Sequence, residues 1–366
     1  MIRVLVVDDS AFMRKVISDI IDADPDMVVV GKARDGEEAL RKIEELKPNV
    51  VTLDVEMPKM NGLEVLRRLM PSNPVAVVML SSLTREGADT TIEALSLGAV
   101  DFIPKPSGTI SLDIHKVGDE IRRKVRTASL AKLVGPHGSL LGNLQHAEEM
   151  LKRTEERLRR MTLQDQVPEM SERRTPAPPA CNRVVVIGSS TGGPGALQRL
   201  VPGLPATLDA GVLIVQHMPP GFTASLAQRL SQLSKVKVRE ARDGDRIECG
   251  TALVAPGGYH MVVNRDRAIT LDSGQQVHGV RPAVDVTMES AARVFGSRCL
   301  GVVLTGMGSD GTRGASLIRR MGGKVLAQDE STSVVYGMPK SVAQAGSADQ
   351  VLPLGEMVDA IVRALH

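Results

Sequence analysis

The 366-residue chain has no tryptophan, two tyrosines and four phenylalanines. That is too few rings for the stacking platforms with which proteins grip single-stranded nucleic acid. Cysteine is scarce too: Cys181, Cys249 and Cys299 stand far apart, with no C-x-x-C pair. Structural zinc and a disulfide framework are therefore not expected, and three free thiols are. No excess of one charge exists, since 45 Lys and Arg against 43 Asp and Glu leave a formal net charge of +2, which gives no electrostatic footprint for a nucleic acid. A run of about 18 apolar residues, the length of a membrane span, is also missing. Met1-Ile2-Arg3 leads straight into the strand-like Val4-Leu5-Val6-Val7, so neither a membrane span nor a secretory signal is expected, and the expected compartment is the cytoplasm. With so few aromatics, the core has to be built from Val, Leu, Ile, Met and Ala.

What is present divides into two parts, as the length suggests. In the first, Val4–Val7, Met27–Ala33, Val50–Leu53, Ala76–Leu80 and Asp101–Ile103 read as short buried strands. Between them lie amphipathic helical runs such as Ala11–Ala23, with Phe12, Val16, Ile17, Ile20 and Ile21 on one face. Apolar strands alternating with helices predict a parallel sheet covered on both faces. Asp8 with Asp9, then Asp54, Ser81 and Lys105, fall at or just past the C-terminal ends of four different strands, the edge where open α/β sheets place their sites. Three carboxylates there repel one another unless a divalent cation joins them, and hard oxygen ligands suit Mg²⁺. Lys105 supplies the opposing charge.

These residues, with the run Asp54-Val55-Glu56-Met57-Pro58-Lys59-Met60-Asn61-Gly62 and the pair Lys105-Pro106, make residues 1 to about 120 resemble the receiver domain of two-component response regulators. The resemblance implies that Asp54 is the phosphoacceptor. It also implies that Asp9 and Asp54 hold Mg²⁺ with help from Asp8, and that Ser81 and Lys105 engage the phosphoryl group. Phe102 stands where receivers carry a switch aromatic, and the Lys105-Pro106 bond is implied to be cis. The phosphodonor would be a sensor histidine kinase.

A connector follows. Ile110–Leu133 has a helical part, with Ile114, Val117, Ile121 and Val125 at helix spacing. The charged run 140–161 suits a solvated helix or a short coiled-coil segment, and 168–180, with Pro168, Pro176, Pro178 and Pro179, suits a linker. The expected division is a receiver over 1–122, a helical and proline-rich linker over 123–182, and a catalytic domain over 183–366.

The second half opens with Val184–Pro194, an apolar strand ending in glycines and hydroxyls that runs directly into the helix-compatible stretch beginning at Gly195. Such a turn lies at a helix N-terminus, where unpaired N–H groups favour negative charge. Either a phosphate cradle or a nucleophile elbow presenting Ser189 or Ser190 fits that description. The cradle is the weaker reading, because the Lys-Ser/Thr of a P-loop is absent and Pro194 removes one donor. Apolar strands then end at His217 and at Thr305-Gly306-Met307-Gly308-Ser309-Asp310-Gly311. Strand ends of one parallel sheet share an edge, so a hydroxyl, an imidazole and a carboxylate can converge as acyl transfer requires. From the residues alone Ser189 and Ser190 are equivalent, and Asp285 competes with Asp310.

This half resembles the catalytic domain of the CheB family, the chemoreceptor protein-glutamate methylesterases. Its marks are Gly188–Pro194, Gln216-His217-Met218-Pro219, Ala255-Pro256-Gly257, Arg281–Asp285, the Thr305–Gly311 run and Tyr336-Gly337-Met338-Pro339-Lys340. The resemblance implies Ser190 as nucleophile, His217 as base, Asp310 as its partner, and Thr191 with the N–H of Met307 beside the oxyanion hole. No cofactor is implied for the esterase. Taken together, the chain is expected to be a flavodoxin-like doubly wound receiver, a linker and a Rossmann-like α/β catalytic domain. Its implied activity is phosphorylation-gated hydrolysis of glutamyl methyl esters on methyl-accepting chemoreceptors, with glutamine deamidation as the related reaction. The rivals are a response regulator whose second domain only binds a partner, and a DNA-binding regulator, which the α/β character of the second half disfavours.

Overall fold

The computed structural model describes residues 1–105, 114–132 and 181–365, with 114–116 as backbone only. In the first part, short β-branched runs form β1 (Ile2–Val7), β2 (Met27–Ala33), β3 (Val50–Asp54), β4 (Ala76–Ser81) and β5 (Asp101–Pro104). They alternate with α1 (Ala11–Asp22), α2 (Gly36–Leu46), α3 (Gly62–Ser72), α4 (Arg85–Ser96) and α5 (Ile114–Ser129). The strands pair in parallel in the order β2-β1-β3-β4-β5, a flavodoxin-like doubly wound sheet. Every residue of β3 and β4 is buried, which explains their unbroken apolar sequence. Side-chain caps on Ser10, Asp35, Asn61 and Thr84 start the first four helices just beyond the sheet edge. A boundary at residue 122 would cut α5, whose buried Val125 and Ala128 share one apolar cluster with Ile121.

The second part carries β6 (Val184–Ser189), α6 (Gly193–Leu200), β7 (Gly211–Gln216), α7 (Phe222–Leu233), β8 (Lys237–Glu240) and β9 (Thr251–Val254). A hairpin of β10 (His260–Val263) and β11 (Ile269–Asp272) follows, then α8 (Val284–Phe295), β12 (Cys299–Val303), α9 (Thr312–Arg320) and β13 (Lys324–Gln328). The chain closes with α10 (Met338–Gln344), β14 (Gln350–Leu352) and α11 (Met357–Leu365). The seven-stranded sheet runs β14-β13-β12-β6-β7-β9-β8, parallel throughout. The chain moves from β6 to β7 on one side and later returns to β12 on the other. The switch point, where open sheets form a crevice, thus lies between β6 and β12.

Two expectations change. The short α10 and β14 were not foreseen: α10 begins with Pro339 in its first turn, and β14 has two exposed residues, so neither shows a long periodic pattern. Cys181 and Cys249 are not free thiols but form a disulfide. Sequence separation hid their proximity, which arises because the Cys181 N–H donates to Ile247 O and lays the start of β6 beside the turn before β9. Cys299 is free and buried, and burial pushes its thiol up to about 12. The 140–161 run, the 168–180 linker and Pro106, with its expected cis bond, lie outside the described residues.

Candidate active site

Asp8 and Asp54 are buried and Asp9 is exposed. One carboxylate oxygen from each lies within 4.8 Å of the others. Lys105 Nζ sits 2.6 Å from Asp54 Oδ2 and 3.2 Å from Asp8 Oδ2. Both oxygens are thus ion-paired to the one ammonium. Burial pushes the Asp54 carboxyl up to about 6, and Asp8 adds to the rise against the pull of Lys105. Three acceptor-only carboxylates converging at one strand edge fit a hard divalent cation, so the donor set suits Mg²⁺. Ser81 Oγ donates to Gly87 O at 3.0 Å and accepts from Thr91 Oγ1 at 2.6 Å. Lys124 Nζ lies 4.8 Å from the centroid of the buried Phe102 ring.

At the other edge, β6, β7 and β12 end at the three residue types expected. Ser189 is fully buried and its Oγ donates to Gln216 Oε1 at 2.7 Å, whereas Ser190 is half-buried. Gln216, given no site role from the sequence, ties the edge together: its Nε2 donates to Ser190 O at 3.0 Å and to His217 O at 3.2 Å. An amide closing the apolar run Val212–Val215 was the available signal. Gly192, at φ +76°, turns the chain into α6, and a Cβ there would strike Val334. A side chain on Gly306 would likewise strike Ser190 Cβ.

His217 Nε2 lies 2.7 Å from Asp310 Oδ2. Asp310 also accepts from the N–H groups of Val284, Asp285 and Gly311 at 2.7–2.9 Å, the first two belonging to the opening turn of α8. Burial presses the Asp310 carboxyl upward, but His217 and these N–H groups outweigh it and hold the group below its usual range. Asp285 faces away from His217 and accepts from His278, Arg313 and Gly314. Ser190 and His217 make no hydrogen bond to each other within 3.5 Å. Met307 is 40% exposed, and its N–H meets no acceptor among the described residues.

The receiver covers this edge. Thr191 Oγ1 donates to Asp101 Oδ2 at 2.7 Å, Gly192 N–H to Val100 O at 3.3 Å, and Thr127 Oγ1 to Met307 Sδ. Phe102 stacks on Phe222 with centroids 4.4 Å apart. Ser96 bonds Gln198 at 2.6 Å, and Lys132 pairs with Glu330 at 2.8 Å. Asp101 is therefore a functional candidate the sequence did not mark, because an aspartate opening a strand looks like an ordinary turn residue.

Fold and edges define a class: a response-regulator receiver joined to an α/β enzyme domain. The CheB methylesterase model matches residues 185–361, and the response regulator receiver domain model matches residues 4–114. A protein-glutamate methylesterase/protein-glutamine glutaminase of Symbiobacterium thermophilum is 53% identical over 366 residues, covering 100% of this chain and 97% of that protein. One of the same name from Pyrococcus abyssi is 48% identical over 100% of this chain and 94% of its own length. The solved Thermotoga maritima CheB methylesterase catalytic domain matches with TM-score 0.48 and 45% identity, over 50% of this chain and 97% of its own. The chain belongs to the CheB methylesterase family. Among the described residues no helix is long and apolar enough to cross a membrane.

Proposed function

We propose that the chain hydrolyses glutamate γ-methyl esters on methyl-accepting chemoreceptors, and deamidates receptor glutamines, when its receiver is phosphorylated at Asp54. The observation that carries the reading is the 2.7 Å bond between His217 and Asp310 beside a serine pair of which Ser189 is locked onto Gln216 and Ser190 is not. Ser190 is then the nucleophile.

Because Asp310 holds Nε2, Nδ1 is the nitrogen of His217 left to act as base. It takes the proton from Ser190 Oγ as the Oγ–C bond forms, and the carbonyl oxygen gains negative charge beside Thr191 and the Met307 N–H. His217 passes the proton to the departing methoxide, which leaves as methanol. Water then attacks the acyl-enzyme, gives its proton to His217, and the C–O bond to Ser190 breaks as the serine recovers that proton. The free glutamate is released. With glutamine as substrate the leaving group is ammonia, and the same acyl-enzyme follows.

Asp8, Asp9 and Asp54 would hold Mg²⁺, which supplies charge neutralisation for phosphoryl transfer to Asp54 from a sensor histidine kinase. Lys105 lies against Asp54, ready to meet a phosphoryl oxygen, and Ser81 would turn from Gly87 toward it. Phosphorylation adds roughly two negative charges, and Phe102, three residues from Lys105, links that site to Phe222. The receiver occupies Thr191 and Met307, so undocking frees the oxyanion side. The cytoplasm is the compartment this chemistry calls for. Methanol release from a methylated receptor tests the reading: S190A should abolish it, and full activity in S190A contradicts the triad.

A further inference from the structure

The loop joining β11 to α8 is tied at its base. His260 is 2% exposed, and its ring spans the loop, with Nε2 bonded to Gln275 O at 2.9 Å and Nδ1 accepting the Ala283 N–H at 3.2 Å. Arg281 Nη1 donates back to Ser273 O at 2.5 Å. Val277 and Val280 exchange both backbone hydrogen bonds, which makes His278-Gly279 the tip of a two-residue hairpin with φ +55° and +72°. Such a turn favours Asn, Asp or Gly at its first position.

The ring at this position is directed inward. His278 Nε2 lies 2.8 Å from Asp285 Oδ2 and 3.8 Å from Asp310 Oδ1, with the side chain 34% exposed. Asp285 Oδ1 accepts from Gly314 N–H at 2.8 Å, and Oδ2 also meets Arg313 Nε at 3.2 Å. Through its backbone the same residue donates to Asp310 Oδ1 at 2.9 Å. Two buried carboxylates thus stand on either side of the first turn of α8, and moving the Asp285 side chain moves the N–H that holds Asp310.

We propose that His278 is a positioning residue for the esterase triad, acting through Asp285 and Asp310 to orient His217 and set its basicity. This rests on the reading of Ser190, His217 and Asp310 as that triad. The charged and titratable groups facing His278 are Asp285 from α8, Asp310 from the turn after β12 and Arg313 from α9, with His217 on the far side of Asp310. Removing the His278 donor leaves Asp285 Oδ2 to Arg313, which is exposed. The carboxylate pair becomes more negative toward His217, and the imidazole becomes harder to deprotonate.

The test uses the full chain with Mg²⁺ and acetyl phosphate, and a helical peptide bearing one glutamate γ-methyl ester. H278N keeps a residue suited to the turn but too short to reach Asp285, and H278Q restores a donor near the position of Nε2. The expected result for H278N is a kcat about tenfold lower, about 1.4 kcal/mol in the barrier, with KM unchanged and the acid limb of the pH–rate profile moved to higher pH. H278Q recovers most of the loss. An unchanged kcat and pH profile in H278N overturns the proposal, as does a raised KM at unchanged kcat, which assigns His278 to substrate contact. H217Q is the control: if it is inactive while H278N behaves as wild type, the inference about His278 alone fails; if H217Q stays active, the triad falls with it.

Discussion

Thr191 Oγ1 donates to Asp101 Oδ2 at 2.7 Å, joining the residue after the candidate nucleophile to the residue before Phe102. Asp101 also pairs with Lys124 at 2.8 Å. Burial presses its carboxyl upward, but Lys124, Thr191 and the Phe102 N–H hold it below the usual range, so it is charged at neutral pH and binds the threonine as an anion.

A hydrogen bond to a charged group contributes roughly 1.5–3 kcal/mol. Replacing the carboxylate by an amide in D101N should therefore raise the undocked population, and with it basal methanol release, by about tenfold. Stimulation by acetyl phosphate shrinks correspondingly. An unaltered basal rate would show that this contact does not restrain the enzyme.

The two neighbouring serines should separate cleanly. S190A loses activity by about 10⁴-fold or more, while S189A, which only frees Gln216, stays within about tenfold of wild type. Steady-state hydrolysis of a methyl-esterified peptide reads both, and the opposite ranking would move the nucleophile to Ser189.

Asp310 has a lowered pKa, so it stays ionised from neutral pH down to below its ordinary value of 3.8. Its support for His217 is present above that value and is lost only as pH falls through the lowered one. No break from Asp310 should then appear in the acid limb of kcat/KM at about pH 4.5 or above, where the slope stays at one. A slope of two would show Asp310 titrating in the same range.

The Cys181–Cys249 bond joins residues separated by 68 positions. Disulfides of this kind contribute about 2–4 kcal/mol. Dithiothreitol, or C249S, should lower the thermal midpoint of the second domain by several degrees, read by calorimetry, and C249S should then show no further response to reductant.

The parallel sheets were legible because buried strands such as Val50–Leu53 and Val212–Val215 are unbroken apolar runs, and because polar residues follow them at one edge. Asp8, Asp54 and Lys105 meet as their strand-end positions imply, and so do His217 and Asp310. The proposal of Ser190 over Ser189 leans on the inward bond of Ser189 to Gln216, and that of Asp310 over Asp285 leans on the partner each carboxylate meets, His217 for the one and His278 for the other. Neither pairing follows from spacing. The disulfide escaped for a similar reason, since a backbone bond between Cys181 and Ile247 brings together segments the sequence holds far apart. Asp101 and Phe222 acquire meaning only when one domain lies on the other.

The central claim is that the receiver restrains the esterase and that Asp54 releases it. Methanol release from a methylated chemoreceptor, measured with Mg²⁺ in the presence and absence of acetyl phosphate, tests this most directly in wild type and D54N. The account predicts strong stimulation of the wild type, none of D54N, and equal basal rates for the two. Stimulation of D54N equal to that of the wild type, or no stimulation of either, would contradict it.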